Sequence, residues 1–369
     1  MKSNIIPEGF KDDVSSQVAA EHRYKNIIID CFQSNGFELV KTPLIEHFNI
    51  NTDKNVFKIL VNKQEKKLNI RDDITLQVAR LSQTRLLKIK KPLKLCYYGE
   101  VVRKKGTLLR PERQFLQIGA ESIGENNFLA DVEMIELAYT SLNLVGIKNI
   151  TVEISSRIFY DKFLNQVKDF KRKKEIQRLI KLKDLNGLLD IVEKKDHDYL
   201  KSLFSCTGIY RDKKNNLKSL GIDNSTSSEI LNIENIVANF SYKKHVNIFL
   251  DLCEIDDKNY HSGVRFTIFA KNIRGEIARG GRYFIEGLNK KNTATGFTSY
   301  MDSILRATSF KLTKNNIIVP FNLSKIEIKN LIKKGYSLVR NITDTKITKK
   351  LAKNQNCQFY FENNRVNRI

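Results

Sequence analysis

Three short clusters in this 369-residue chain hold side chains that could do chemistry. The first is Arg71-Asp72-Asp73-Ile74-Thr75, where an apolar-periodic run begins. Carboxylates at a helix N-terminus gain from the macrodipole, so this cluster reads either as a charged cap or as a polar ligand contact. The second is Arg103, a basic loop over 104–113, then Arg113-Gln114-Phe115-Leu116-Gln117 and Glu121. Gln117, Gly119 and Glu121 fall on one face of a strand by its period of two. A Gln beside a Glu could hold the carboxylate and ammonium of an amino acid; an ordinary polar outer face is the alternative. The third pairs Tyr260-His261-Ser262-Gly263 with Ala278-Arg279-Gly280-Gly281-Arg282-Tyr283. Gly-Gly lets the backbone approach a ligand, or simply form a turn after a strand.

Other chemistries find no support. His261 has no Cys or second His near it in sequence, which is a poor metal signal. There is no Ser-His-Asp spacing, no phosphate loop and no dinucleotide fingerprint, so no cofactor is expected. Cys31, Cys96, Cys206, Cys253 and Cys357 are widely spaced, without a CxxC pair, and read as five buried small hydrophobes in a reducing compartment. The segment MKSNIIPEGFKDD lacks the apolar stretch of a signal peptide, and nothing approaches the roughly 18 apolar residues of a membrane span, so a cytoplasmic protein is expected. The net charge of +23 suggests a nucleic-acid partner at first sight. Lys, Asn and Ile are abundant throughout, however, and such a global bias can reflect genome base composition.

The elements that must position these clusters follow from periodicity. A helix is expected over 15–35, capped by Ser15 or Ser16, then a strand interrupted at Pro43. A hairpin with a charged turn over 56–70 precedes a helix from Thr75 to Lys88. Strands over 93–103 and 114–121 flank the basic loop; a helix over 129–142 leads to a strand over 149–155. From about 160 to 245 the pattern is helical, with eight basic against two acidic residues between Lys168 and Lys183. Strands resume over 245–254, 264–271 and 276–284, then a strand and helix over 295–310. The tail beyond about 315 reads strand, helix, strand, helix, strand.

In their order, IIPEGFKDD, GFELVKTPLIE, IRDDITLQVARL, YYGEVVRKKG, RPERQFLQIGAE, YHSGVRFTIFA, ARGGRYF and ATGFTSYMDSILRA resemble the catalytic domain of class II histidyl-tRNA synthetases. They are still more similar to the synthetase paralogues that act as regulatory subunits of ATP phosphoribosyltransferase. The resemblance covers roughly residues 5–310. It implies an α+β fold: a class II aminoacyl-tRNA synthetase-like, mostly antiparallel sheet flanked by helices over 1–312, with the helical insertion at about 160–245. Residues 313–369 are then a short α/β remnant of an anticodon-binding domain. It also implies a histidine-like pocket of Asp73, Thr75, Arg103, Gln117, Glu121, Tyr260 and His261. Asp73 and Glu121 would meet the ammonium, Gln117 the carboxylate, and Tyr260 and His261 the imidazole side.

Departures from the synthetase pattern fall on the nucleotide half. Lys105 stands where a Glu reads adenine, Tyr300 and Ser303 where a glycine-rich motif ends in an Arg, and Asp256 where the family has its histidine-specific Arg. An anion for a cation beside phosphate would cost several kcal/mol of transition-state stabilisation. In the amino-acid half, His261 replaces the second Tyr of a Tyr-Tyr pair, and Asp72 replaces a Pro. The resemblance therefore implies a non-catalytic regulatory subunit of ATP phosphoribosyltransferase in the first step of histidine biosynthesis. Its partners would be a short-form catalytic subunit, a second copy through the synthetase-type interface near 36–46, and L-histidine, with no nucleic acid or membrane. The rival readings are a divergent histidyl-tRNA synthetase and an RNA-binding paralogue using the basic insertion.

Overall fold

Ala20, Tyr24, Ile28, Ile29, Cys31 and Phe32 recur at helical spacing and form the buried stripe of α1 (Ser15–Ser34) in the computed structural model, which describes residues 6–47, 55–59, 68–255, 261–285, 292–309, 315–343 and 345–369. The serines expected to cap α1 lie inside its first turn instead. Val14 holds the capping position, and no side-chain oxygen reaches the free amides. The chain divides into two units, Met1–Ser309 and Phe310–Ile369.

In the first unit, β1 (Glu38–Val40) is followed by a small sheet of β2 (Ile45–His47), β3 (Phe57–Ile59) and β4 (Leu68–Ile70), ordered β2-β4-β3. The charged turn expected between β3 and β4 lies outside the described residues. Helix α2 (Thr75–Gln83) stops before the expected Lys88. The Thr84 hydroxyl donates to the Arg80 carbonyl at 3.0 Å, and the chain continues as turns, a local competition typical of Thr. Then come β5 (Leu93–Val102), β6 (Gln114–Ile123), α3 (Phe128–Leu144) and β7 (Ile150–Ser156). The insertion supplies α4 (Ile158–Leu164), α5 (Phe170–Leu182), α6 (Leu185–Ile191), α7 (His197–Ser205), the short β8 (Gly208–Ile209), α8 (Tyr210–Lys218) and α9 (Asn224–Asn239). The unit closes with β9 (Asn247–Leu250), β10 (His261–Ala270), β11 (Ala278–Ile285), β12 (Asn292–Tyr300) and α10 (Met301–Ala307).

Nine strands form one sheet, in the order β1-β5-β6-β12-β11-β10-β7-β9-β8. Only β1–β5 and β7–β9 pair in parallel among them. A parallel pair needs a crossover, and the helical insertion is the crossover between β7 and β9. The sheet's two faces separate cleanly. Phe297 of β12 meets Phe32 of α1 edge-on, with ring centroids 5.5 Å apart. Arg282 of β11 pairs with Asp131 of α3 at 2.8 Å. By alternation, Gly296, Thr298 and Tyr283 point to the opposite face, where Gln117 and Glu121 also lie. The apolar floor of that face is Leu95, Val101, Phe115, Ile123, Ile285 and Ala294, packed with Ile74 just before α2 and with Val78 and Ala79 of α2. Each large buried side chain there contributes about 1.5–3 kcal/mol, so burial rather than propensity holds the nine-residue α2.

The second unit has β13 (Asn316–Pro320), α11 (Lys325–Lys333), β14 (Ser337–Asn341), α12 (Lys349–Asn354), β15 (Phe359–Glu362) and β16 (Arg365–Arg368). Ile317 and Val319 cluster with Leu331 of α11, and Ile318 with Ala352 of α12, so the helices cover opposite faces. Strand β16 extends the expected pattern. It returns through Asn363-Asn364, both at positive φ (50° and 57°), a conformation Asn tolerates in tight hairpins.

Candidate functional site

The start of α2 is tied to β6 by side chains from two of the sequence clusters. Asp73 accepts from the Thr75 amide at 2.9 Å and from Gln117 Nε2 at 3.2 Å, while Gln117 Oε1 accepts from the Ile74 amide at 3.1 Å. Asp73 thus holds the first amide of α2 and is also a cross-element partner. Arg71 turns away from this group. It is buried, donating to the Glu100 and Thr42 carbonyls at 2.7 and 3.0 Å, and it anchors the segment before α2 to β5.

Gln117 and Glu121 are fully buried, so the alternative of a polar outer face does not hold. Glu121 accepts from the Tyr283 hydroxyl at 2.8 Å and the Tyr97 hydroxyl at 3.4 Å. Tyr97 also reaches Thr75 Oγ1 at 3.0 Å and Thr298 Oγ1 at 2.7 Å. Burial pushes the Glu121 carboxyl up to about 8 and Asp73 adds to the rise, against the hydrogen bonds from Tyr283, Thr75 and Tyr97. Small residues make the room. A Cβ added at Gly296 would lie 1.8 Å from Glu121 Oε2, and one at Gly119 would lie 2.4 Å from the Tyr97 hydroxyl. The result is a buried carboxyl in a ring of hydroxyls. It stays largely protonated near neutrality, and an arriving cation would ionise it.

His261 lies in the first position of β10 rather than before the strand, paired with Tyr283, which carries the hydroxyl that meets Glu121. Tyr260 and Asp256 lie outside the described residues. Gly280 and Gly281 sit inside β11, not at a turn, and Gly281 pairs with Gly296 opposite Glu121. The Arg103 guanidinium lies 4.9 Å from the Phe115 ring centroid and 6.0 Å from that of Tyr300.

Tyr300 anchors a second constellation, which sequence reasoning missed. Arg110, from the basic loop, is 5% exposed. Its guanidinium stacks 3.6 Å from the centroid of the Tyr300 ring and bonds to Asp302 at 3.2 Å, the Glu276 carboxylate at 3.3 Å and Ser303 Oγ at 3.4 Å. Tyr300 and Ser303, the two departures noted in the glycine-rich motif, are therefore contacts for an internal cation. The loop signal RPER was visible; which Arg turns inward depends on packing at distant Asp302.

A mostly antiparallel sheet that presents these segments in this order on one face is a class II aminoacyl-tRNA synthetase-like fold. A family model described as histidyl-tRNA synthetase matches residues 9–304. The chain belongs to the histidyl-tRNA synthetase family. It is 28% identical to an ATP phosphoribosyltransferase regulatory subunit of Rhodospirillum centenum, over 99% of this chain and 96% of that protein. A solved structure titled as an ATP phosphoribosyltransferase regulatory subunit/histidyl-tRNA synthetase from Bacillus halodurans has a TM-score of 0.82 at 20% identity, covering 98% and 97% of the two chains. A chain of an ATP phosphoribosyl transferase complex from Thermotoga maritima has a TM-score of 0.61 at 20% identity, covering 76% and 97%. Among the described residues no helix is long and apolar enough to cross a membrane.

Proposed function

We propose that the chain is a non-catalytic regulatory subunit of ATP phosphoribosyltransferase. It activates a short-form catalytic subunit in the first step of histidine biosynthesis and transmits feedback inhibition by histidine. The observation that carries this reading is the asymmetry of the site. The Asp73–Gln117–Glu121 group retains the side chains that the resemblance assigns to an amino acid's ammonium and carboxylate, while Arg110, Tyr300 and Asp302 pack together at positions the resemblance assigns to the nucleotide-binding motif. The names of the relatives point the same way.

In this reading Glu121 and Asp73 receive the ammonium of histidine, Gln117 its carboxylate, and His261 and Tyr260 face the imidazole. The ammonium ionises Glu121, so binding exchanges a proton for a charge-assisted hydrogen bond. Tyr97 then links Glu121 to Thr75, at the start of α2, and to Thr298 of β12. Inhibition requires that histidine bind one arrangement of the complex better than the other. A second copy would dock on the edge strand β1 and the segment to β2, where Leu39, Leu44 and Ile45 are exposed. The 310–369 unit is the shortened counterpart of an anticodon-binding domain.

Two measurements on the purified chain test this reading: histidine binding by calorimetry, and histidine-dependent ATP–pyrophosphate exchange. Histidine binding without exchange is expected. Exchange at a synthetase's rate would make the chain an aminoacylating enzyme and overturn the proposal.

A further inference from the structure

The loop between β5 and β6 is fixed at its base and bare at its tip. Arg110 closes the base through Asp302, Glu276 and the Tyr300 ring. The loop also crosses itself, with the Thr107 amide donating to the Arg110 carbonyl at 2.7 Å and the Arg110 amide to Thr107 Oγ1 at 3.0 Å. On the other side, Asn55 brackets Lys105, accepting from its amide at 2.8 Å and donating to its carbonyl at 3.3 Å. Above this base Leu108 is 102% exposed and Leu109 is 55% exposed. The turn between β10 and β11 lies against Leu109, since a Cβ on Gly275 would be 3.5 Å from it. Lys104 and Lys105 in the loop, and Lys271 and Arg274 in the β10–β11 turn that lies against Leu109, are exposed and form no ion pair among the described residues.

A single exposed leucine is ordinary. Two in sequence on a hydrogen-bonded loop, with four exposed cations in that loop and the adjoining turn, are a different matter. Ordering such a tip costs nothing further on binding, which is what an anchor residue needs. The cations narrow the choice of occupant. A second copy meeting the tip with its own tip brings the same cationic rim, and like charges facing each other oppose that contact. RNA would match the cations but offers no socket for a leucine.

We propose that the 104–110 loop is the anchor by which this chain docks on the catalytic subunit, with Leu108 entering an apolar socket rimmed by carboxylates. This rests on the regulatory-subunit reading and adds to it the surface that meets the partner. The clamp explains the geometry: the residues at positions the resemblance assigns to the nucleotide-binding motif hold the loop in its docking shape.

The experiment measures association of the full-length chain with a short-form catalytic subunit by sedimentation velocity. Three forms are compared: the unaltered chain, Leu108→Asp, and the double variant Lys104→Glu/Lys105→Glu. Leu108→Asp should weaken association at least about tenfold, as for an anchor residue. The double variant should weaken association at low salt and reduce its salt dependence. Both should keep the melting temperature and histidine affinity of the unaltered chain, because the altered side chains are exposed. If Leu108→Asp associates within about twofold of the unaltered chain, the loop is not the anchor, while the regulatory reading stands. If the unaltered chain fails to associate at all, both fall.

Discussion

Replacing Glu121 by Gln separates what this carboxyl does for folding from what it does for binding. The side chain keeps its shape and can still accept from Tyr283, but it cannot ionise. In the folded chain the carboxyl is raised from 4.5 to about 8, so between those values the native state holds a proton that the unfolded state has lost. Unfolding then releases that proton, and stability falls as pH rises through this window. The penalty accumulated between pH 5 and pH 9 is on the order of 4 kcal/mol, at 1.36 kcal/mol for each pH unit traversed below 8. The Gln variant escapes it. Urea unfolding of both proteins at pH 5, 7 and 9 should therefore give a stability difference that favours the variant increasingly with pH, reaching roughly 2–4 kcal/mol at pH 9. Other titrating groups, including Glu153, also raised to about 8 by burial and by Glu254 and Asp251, cancel in the difference. Histidine affinity should move oppositely, with the variant binding at least about tenfold more weakly because the ammonium loses its counter-charge. A stability difference independent of pH would refute the buried, protonated Glu121. Unchanged histidine affinity would refute its role at the ligand.

Other perturbations reach different parts of the molecule. Arg110→Ala leaves Asp302 with Arg306 at 3.2 Å as its remaining cation among the described residues, and should cost about 2–3 kcal/mol in urea unfolding and open the 104–113 loop to proteolysis. Gly296→Ala drives a Cβ into Glu121 and should abolish histidine binding in calorimetry, with a loss of several degrees in melting temperature. In unaltered protein, histidine affinity should rise between pH 6.5 and 8, by up to about tenfold per unit, as Glu121 gives up its proton more readily. Affinity flat across that range would contradict the proton exchange.

Much of this site was legible because strands alternate and helices announce their starts. The spacing of Gln117, Gly119 and Glu121 identified a shared face, and the carboxylate before Thr75 identified the beginning of α2. Burial was not legible: a Gln and a Glu on one face fit a solvated strand as well as a sealed pocket, and only the neighbours decide. Those neighbours are far apart in sequence. Tyr97 and Tyr283 meet at Glu121 from two different strands and Thr298 reaches Tyr97 from a third, so no local pattern announces them. The Gly-Gly pair left two uses open, a close approach or a turn, and it lies within the expected strand, with Gly281 opposite Gly296. Arg110 looked like one more cation in a basic loop, and its inward turn is set by Asp302, 192 residues away. The +23 charge carried least information, because Lys and Arg are spread through the whole chain and do not mark one face.

The central claim is that this chain confers activity on another protein and has none of its own. Mixing it with a short-form catalytic subunit and following phosphoribosyl-ATP formation from ATP and phosphoribosyl pyrophosphate tests that directly. The account predicts turnover in the mixture well above that of either protein alone, and its suppression by added histidine. Turnover no higher than that of the catalytic subunit by itself would contradict it.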